Sequence, residues 1–204
     1  MAASYFVPAA EITVEQVIKR SRFITVIAPI ARGSEGRALQ QRLRLAHPEA
    51  SHHCLAFNAG PPKDTRDIGC SDDGEPSGSA GRPMLNVILG SDIGQLAAVV
   101  VRYYGGTQLG VGGLVRAYAG GVKLALSELS IEPFIARSQA ILQCEYADMA
   151  LVEHLLNSYQ ATLLSSTFQQ QCQLLLELPQ TQWAPFAEAL STRSRGRLQL
   201  QALG

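Results

Sequence analysis

The distribution of glycine divides this chain of 204 residues into two parts of different character. Thirteen of its 18 glycines lie between residues 69 and 121, and none lies between residues 122 and 195. Glycine adopts positive φ angles at no steric cost, so a segment this rich in glycine indicates tight turns or close approaches of the backbone. We therefore expect loops with a function in the first part and regular helices and strands in the second.

Hydrophobic periodicity predicts the elements of the first part. In chain order they are a strand at 11–18, a strand at 22–30, a helix at 34–46, a strand at 52–58, a helix at 83–89, a strand at 95–104 and a helix at 114–129. The run QLAAVVVRYY at 95–104 is almost continuously apolar, which is typical of a strand buried on both faces. Residues 60–81 contain almost no aliphatic side chains and are predicted to form one long loop, a kind of segment that is usually functional or disordered.

The second part has the pattern of a small α+β module. It predicts a strand at 136–145, a helix at 148–159 capped by Asp148, strands at 161–168 and 172–178, a helix at 181–190 and a strand at 196–203. The order βαββαβ is that of a ferredoxin-like module. With a boundary near residues 132–137, marked by Pro133, we predict a mixed α+β or α/β protein of two domains, 1–134 and 135–204.

Composition excludes several classes of protein. Lysine and arginine number 17, as do aspartate and glutamate, so the formal net charge is zero and a bulk basic nucleic-acid binder is excluded. This composition is still compatible with a local basic patch, since 14 of the 17 cationic residues are arginine. No apolar run reaches the roughly 20 residues of a membrane span, and the N-terminus lacks the pattern of a signal peptide. The four scattered cysteines indicate free thiols, so we predict a cytoplasmic protein with no membrane partner.

Two glycine-rich loops are the strongest candidates for a functional site. The first is SDDGEPSGSAGRP at 71–83; the second, at 102–118, leads from the buried strand into a helix. Converging backbone N–H groups and a helix N-terminus can hold a phosphate or a carboxylate, to which arginines add forked contacts. The predicted anion-binding residues are Arg82, Arg102, Tyr104, Gly105, Gly106, Gly110, Gly112, Gly113 and Arg116. The alternative is a tight strand-to-helix connection in which the glycines only let backbones pass closely.

Other signatures in these loops are incomplete. Val115 stands where a dinucleotide-binding loop has its third glycine, and Val111 stands where a P-loop has lysine. Asp72, Asp73 and Glu75 are candidates for acid–base chemistry or for a divalent cation, but Asp and Ser also simply stabilise turns. Their spacing is not that of a calcium loop, and we predict neither a metal nor a cofactor.

Residues outside the loops are weaker candidates. His52 and Cys54 share one face of a strand, which permits a thiolate–imidazole pair or a zinc site, although a buried or capping role is favoured. Arginines also cluster on two segments where they could contact a phosphate backbone or simply face solvent. These are Arg37, Arg42 and Arg44 in the first predicted helix, and Arg193, Arg195 and Arg197, which alternate near the C-terminus.

The loop motifs resemble those of the IMPACT (YigZ-type) family. The motifs that carry the resemblance are Asp73-Gly74-Glu75-Pro76, Gly78, Gly81, Arg102-Tyr103-Tyr104-Gly105-Gly106, Leu109-Gly110 and Gly112-Gly113-Leu114. The resemblance covers residues 14–126, and the last 70 residues are similar to the ferredoxin-like module of bacterial members.

The resemblance implies a fold and a cellular context. It implies an N-terminal module like the second domain of small-subunit ribosomal protein five, and a likeness of both modules to the last two domains of elongation factor G. Eukaryotic relatives regulate translation by intercepting the activation of an initiation-factor kinase. They use an additional N-terminal domain that we do not find here, so that role is not transferred. The family implies no catalytic mechanism.

The arginine-bracketed glycine loops predict a cytosolic binding protein, and the resemblance alone implies that its partner is RNA or ribosome-associated and that it is linked to translation. The glycine loops are its expected anion site. The alternative is an enzyme for a small phosphorylated or carboxylated substrate, with Asp73 or Glu75 as acid or base and Arg102 or Arg116 as anchor. A third possibility is that the ferredoxin-like module mediates self-association.

Overall fold

A computed structural model of the chain describes residues 5–168 and 171–203, which form two compact units. The first unit extends to Phe134 and the second begins at Ile135. Each unit has its own hydrophobic core. Residues 1–4, 169, 170 and 204, which the predicted domains include, lie outside the described residues. That the two units are independently folding domains stays a prediction.

The first unit is built on a five-stranded antiparallel sheet. Its elements are β1 (Phe6–Pro8), β2 (Ile12–Ile18), β3 (Ser21–Pro29), α1 (Gly33–Ala46), β4 (His52–Asn58), β5 (Ile68–Ser71), α2 (Gly81–Leu89), β6 (Leu96–Tyr103), α3 (Val111–Glu128) and β7 (Ile131–Pro133). The sheet has the order β2-β3-β6-β4-β5, and β1 pairs separately with β7. The mixed α/β architecture expected from the sequence is confirmed.

Strand β6 lies at the centre of this sheet and is buried on both faces, as its apolar run predicts. Ala98 and Val100 belong to the core that α2 and α3 cover, whereas Val99 and Val101 belong to the core that α1 covers. Successive side chains of a strand point to opposite faces, so a strand between two helical layers needs apolar residues at every position. The unit therefore has three layers, with the sheet between α1 on one face and α2 and α3 on the other.

The chain that follows β6 passes closely over the tight turn between β2 and β3. Lys19 and Arg20 join β2 to β3 with φ angles of 47° and 67°, as a two-residue hairpin turn requires. Gly105 passes directly over this turn, since a Cβ atom added to it would lie 2.0 Å from the carbonyl carbon of Arg20. Glycine is needed at this position because any side chain would collide with that backbone.

Two sequence predictions in this unit are wrong in detail. Residues 60–81 are not one continuous loop, because β5 lies within them and pairs with β4. An edge strand with short and half-exposed side chains carries little apolar signal, which explains the error. Helix α3 begins at Val111, three residues before the predicted start. Gly112 and Gly113 therefore belong to the first turn of the helix and not to the loop.

The second unit has the ferredoxin-like arrangement predicted from the sequence. Its elements are β8 (Arg137–Cys144), α4 (Met149–Ser158), β9 (Thr162–Phe168), β10 (Cys172–Pro179), α5 (Trp183–Arg193) and β11 (Leu200–Ala202). The antiparallel sheet has the order β11-β8-β10-β9, and both helices pack their apolar residues into one core. Among the described helices of the chain, none is long and apolar enough to cross a membrane.

The C-terminal arginines do not form the extended face that their alternation predicts. Arg193 ends α5, Arg195 has a φ of 57°, and the last strand begins only at Leu200. Arg197 donates two hydrogen bonds to the carboxylate of Asp148, of 2.8 and 3.0 Å. Asp148 is thus an ion-pair partner and not the side-chain cap of α4 that the sequence predicts.

Candidate functional site

A pocket of about 550 Å³ lies beyond the C-terminal end of β6, where the chain turns into α3. It is lined by Ser51, His52, Glu75, Pro76, Arg102, Tyr104, Gln108, Leu109, Gly110, Val111 and Leu114. A larger hollow in the second unit, of about 890 Å³, has no arginine, lysine or histidine in its lining. The pocket beyond β6 is the candidate site, because it combines apolar walls with charged groups and is lined by residues of both glycine-rich loops.

A buried ion pair forms the inner wall of this pocket. Arg102 is only 5 % exposed, and its Nη1 donates to Oε1 of Glu75, which is 8 % exposed, over 2.6 Å. The hydroxyl of Tyr118 donates to the same oxygen over 2.7 Å. The guanidinium carbon of Arg102 also lies 5.4 Å from the ring centre of Phe23 and 5.5 Å from that of Tyr104. Arg102, predicted as an anion-binding residue, is thus held in place inside the protein with its charge paired to Glu75.

The pairing of β4 with β6 brings His52 into the same pocket, because it lies directly opposite Arg102. Nδ1 of His52 is 2.8 Å from the backbone carbonyl oxygen of Asp73. That oxygen can only accept, so Nδ1 carries the proton. Nε2 then lies on the other side of the ring, 3.8 Å from Oε1 of Glu75. His52 is consequently a polar group of the pocket and not only a buried or capping residue.

Cys54 does not form the thiolate–imidazole pair considered from the sequence. Its thiol donates to the backbone carbonyl oxygen of Asp72 over 3.0 Å. Burial raises the pKa of this thiol to about 12. Cys54 is therefore a neutral core residue near neutral pH.

The first glycine-rich loop is closed by its own carboxylate. Oδ1 of Asp72 accepts from the N–H groups of Ala80 and Gly81 at 3.0 and 2.8 Å, and Oδ2 accepts from that of Gly78 at 2.8 Å. Burial alone would raise the pKa of Asp72, but these three hydrogen bonds outweigh it and hold the pKa below its usual value. The carboxylate of Asp72 thus already occupies the N–H groups of Ala80 and Gly81 at the N-terminus of α2.

The three acidic residues of this loop face different partners. Asp72 binds backbone N–H groups and Glu75 binds Arg102, while Asp73 accepts from Arg44 at 2.6 Å and from the backbone N–H of His53 at 2.7 Å. They do not converge as the ligands of a cation would. Within residues 5–168 and 171–203, no group of three or more His, Cys, Asp or Glu residues is arranged to hold a metal ion.

The second glycine-rich loop leaves the N-terminus of α3 open. Gly110 precedes the helix with a φ of 73°, and no side chain caps it. The first N–H of the helix with an acceptor in the described part of the chain is that of Leu114, which donates to the carbonyl oxygen of Gly110 over 2.9 Å. The N–H groups of Val111, Gly112 and Gly113 therefore have no acceptor among the described residues, and Val111 lines the pocket.

The remaining predicted residues divide between this site and other places. Arg116 is exposed, and its Nη1 lies 3.9 Å from where a Cβ atom of Gly112 would be. Gly105 donates its N–H to Oγ of Ser21, and Gly106 follows it with a φ of 78° in the approach to the pocket. Arg82 is exposed on α2 and does not line the pocket.

The arginines of α1 do not form one free face. Arg44 pairs with Asp73 and Arg42 with Glu11, while the guanidinium of Arg37 lies 5.8 Å from the ring centre of Phe57. Three residues that line or support the pocket, Ser51, Gln108 and Tyr118, were not among the predicted site residues, and His52 was considered only as a partner of Cys54 or a zinc ligand. The strand register places His52 in the pocket and the packing of α3 brings Tyr118 to Glu75, and no local motif indicates either contact.

The fold and the pocket define a glycine-loop α/β unit followed by a ferredoxin-like unit. The family model of the Impact N-terminal domain matches residues 19–126, and that of a domain of unknown function, DUF1949, matches residues 142–197. The chain belongs to the IMPACT family, as its loop motifs predict. Membership in this family supports a general regulatory role.

Similar proteins match the chain over nearly its whole length. IMPACT family member YigZ of Escherichia coli strain K12 is 44 % identical over 98 % of both chains, and an IMPACT family member of Haemophilus influenzae is 43 % identical over the same shares. A relative from Thermus thermophilus is 34 % identical over 89 % of this chain and 98 % of its own. A crystal structure of a hypothetical protein, 44 % identical, matches with a TM-score of 0.79 over 100 % of this chain and 99 % of that one.

Proposed function

We propose that this chain is a translation-linked regulatory protein that binds RNA, free or within the ribosome, through a backbone phosphate at the N-terminus of α3. The observation that carries the proposal is the contrast between the two glycine-rich loops. Asp72 occupies the N–H groups at the start of α2, whereas those of Val111, Gly112 and Gly113 have no acceptor among the described residues.

The first turn of α3 has the chemistry of a phosphate site. Unpaired N–H groups and the helix dipole both favour a negative charge at this end. Gly112 and Gly113 present no side chain, so a phosphate oxygen can approach the backbone directly. The guanidinium of Arg116 lies close to Gly112 and can add a charge-assisted hydrogen bond to the same phosphate.

The neutral charge of the chain determines how such binding should behave. Each phosphate contact releases counterions, so the affinity for RNA falls with salt in proportion to the number of contacts. A protein with one local site makes few contacts. We therefore expect a shallow but measurable salt dependence, in contrast to the steep one of a strongly basic protein.

The geometry favours binding over the alternative of an acid–base enzyme. Oε1 of Glu75 is already engaged by two short hydrogen bonds, from Arg102 and from Tyr118. Asp73 is engaged with Arg44 and does not line the pocket. Neither carboxylate is placed as a free acid or base.

The test measures RNA binding to three variants of the whole chain. The probes are a fluorescently labelled single-stranded RNA of mixed sequence, followed by anisotropy over a series of KCl concentrations, and purified bacterial small ribosomal subunits, followed by co-sedimentation. Arg116→Ala should weaken RNA binding about tenfold and lower the salt slope by about one contact. Gly112→Asp, which places a carboxylate at the site, should weaken it further.

Lys123→Ala is the matched control, because Lys123 is an exposed cation on the same helix that does not line the pocket. It should leave RNA affinity unchanged. The proposal is wrong if Arg116→Ala changes neither affinity nor salt slope, or if Lys123→Ala weakens binding to the same extent.

A further inference from the structure

We infer that the pocket holds one nucleotide unit, with its phosphate at the first turn of α3 and its base against the ring of Tyr104. The inference rests on the phosphate site of the proposed function and specifies the ligand of that site. The shared chemistry is that of a nucleoside monophosphate, which exists both as a free nucleotide and as the phosphorylated end of an RNA strand.

A second group of hydrogen-bond donors, that of Arg102, is independent of the helix N-terminus and lines the same pocket. Arg102 has five N–H donors, of which one makes the short bond to Glu75 and another a bond of 3.5 Å to Oγ of Ser21. Its Nε is buried and has no acceptor within the described residues. A buried guanidinium with unmet donors is costly, and an oxygen acceptor that enters the pocket would reduce that cost.

Tyr104 provides the surface for a base. Its side chain follows Arg102 by two residues, and the residue is 51 % exposed although it lines the pocket. The guanidinium of Arg102 lies 5.5 Å from the centre of the ring. A large aromatic ring held by a cation and still half-exposed is suited to stacking with a planar base, whichever base it is.

The other walls fit the remaining parts of a nucleotide. Leu109 and Leu114 supply apolar surface, and Gln108, Ser51 and His52 supply groups that can hydrogen-bond a ribose or the edge of a base. The volume of about 550 Å³ lies in the range of small-ligand pockets. A single nucleotide enters such a pocket, whereas a nucleic-acid duplex does not.

Isothermal titration of the whole chain with AMP, inorganic phosphate and adenosine tests the inference. AMP should bind at least tenfold more tightly than either inorganic phosphate or adenosine, because only AMP uses both ends of the pocket. Tyr104→Leu should weaken AMP binding about tenfold and leave binding of inorganic phosphate unchanged. Tyr146→Leu removes a tyrosine of the second unit that is also more than half exposed, and it should change neither.

The inference is overturned if AMP binds no more tightly than inorganic phosphate, or if Tyr104→Leu weakens both ligands equally. Short RNAs with a 5′-phosphate or a 5′-hydroxyl distinguish the two sources of the ligand. A preference for the 5′-phosphate supports an RNA end, and its absence together with tight AMP binding supports a free nucleotide.

The outcomes also separate this inference from the proposed function. If RNA binding depends on Arg116 but AMP does not bind, the nucleotide pocket is overturned and the proposed RNA function is not. AMP binding that depends on Tyr104 in a protein without affinity for RNA would support the nucleotide pocket and overturn the RNA function.

Discussion

The buried ion pair between Arg102 and Glu75 leads to a quantitative prediction about stability. Glu75→Gln preserves the size of the side chain but removes the charge that Arg102 faces over 2.6 Å. Glutamine keeps one side-chain oxygen, which can still accept from Arg102 and Tyr118, so the substitution isolates the loss of the negative charge. The guanidinium then remains in the interior without a counter-ion.

The expected magnitude follows from the burial of both side chains, which are 3 % and 6 % exposed. Removal of one partner of a buried ion pair costs about 3–5 kcal/mol, because the other charge stays desolvated. With a urea m-value of about 2 kcal/mol/M, the unfolding midpoint of the first unit should fall by about 2 M.

Glu15→Gln is the matched control. Glu15 also accepts from an arginine, Arg22, through two hydrogen bonds of 2.8 Å, but this pair is exposed on β2 and β3. Solvent and salt screen such a pair, so the midpoint should stay close to that of the wild type. The comparison therefore isolates the effect of burial on the same substitution.

Urea unfolding followed by circular dichroism, with amide exchange in β6 to locate the effect, measures this difference. The fluorescence of Trp183 is unsuitable, because the sole tryptophan lies in the second unit. A loss for Glu75→Gln no larger than that for Glu15→Gln would refute the reasoning that the buried carboxylate is needed to compensate Arg102.

Three further predictions concern glycine, cysteine and histidine positions. Gly105→Ala should destabilise the first unit by about 1–3 kcal/mol, because the added methyl group overpacks against the backbone. Gly120→Ala is the control and should not destabilise it, because a Cβ atom there meets nothing within 4 Å. Equal urea midpoints for the two variants would contradict this prediction. Iodoacetamide should alkylate the exposed Cys70 of the native protein well before the buried Cys54. Intact-mass spectra that show a second alkylation as fast as the first would disprove this prediction. Burial lowers the pKa of His53 in the folded protein below its value of about 6.5 in the unfolded chain. The contribution of His53 to the free energy of unfolding is therefore complete above the unfolded pKa and is lost as the pH falls towards the lower folded pKa. The urea midpoint of His53→Gln should therefore depend less on pH across this window than that of the wild type, and an equal dependence would disprove the effect.

The elements of regular structure were largely predictable, and the failures have local causes. The strand at β4 was predicted at its observed bounds, because its apolar residues are bounded by turn-forming residues. β5 was missed because Ile68 is the only aliphatic residue of this four-residue edge strand, which therefore carries almost no apolar signal. Asp148 was misassigned as a cap because the sequence does not reveal that Arg197, 49 residues away, returns to pair with it.

The candidate site was predictable only in part. The glycines and Arg102 mark the region, since a buried strand followed by a glycine-rich helix start is a local pattern. The roles within it were not predictable. Both loops looked alike as anion sites, yet Asp72 closes the first, and Arg102 proved to be half of a buried ion pair.

The sequence by itself determined the two-part organisation, the central buried strand and the glycines that let the backbone turn. These features depend on periodicity and on φ angles, which are properties of neighbouring residues. Only the tertiary structure decided which donors are satisfied and which are open. Hydrogen bonding and burial depend on residues far apart in the chain. His52 lies opposite Arg102 in the pairing of β4 with β6, and Glu75 accepts a hydrogen bond from Tyr118. The N-terminus of α3 is a candidate binding site because folding supplies no internal partner to its first N–H groups within the described chain.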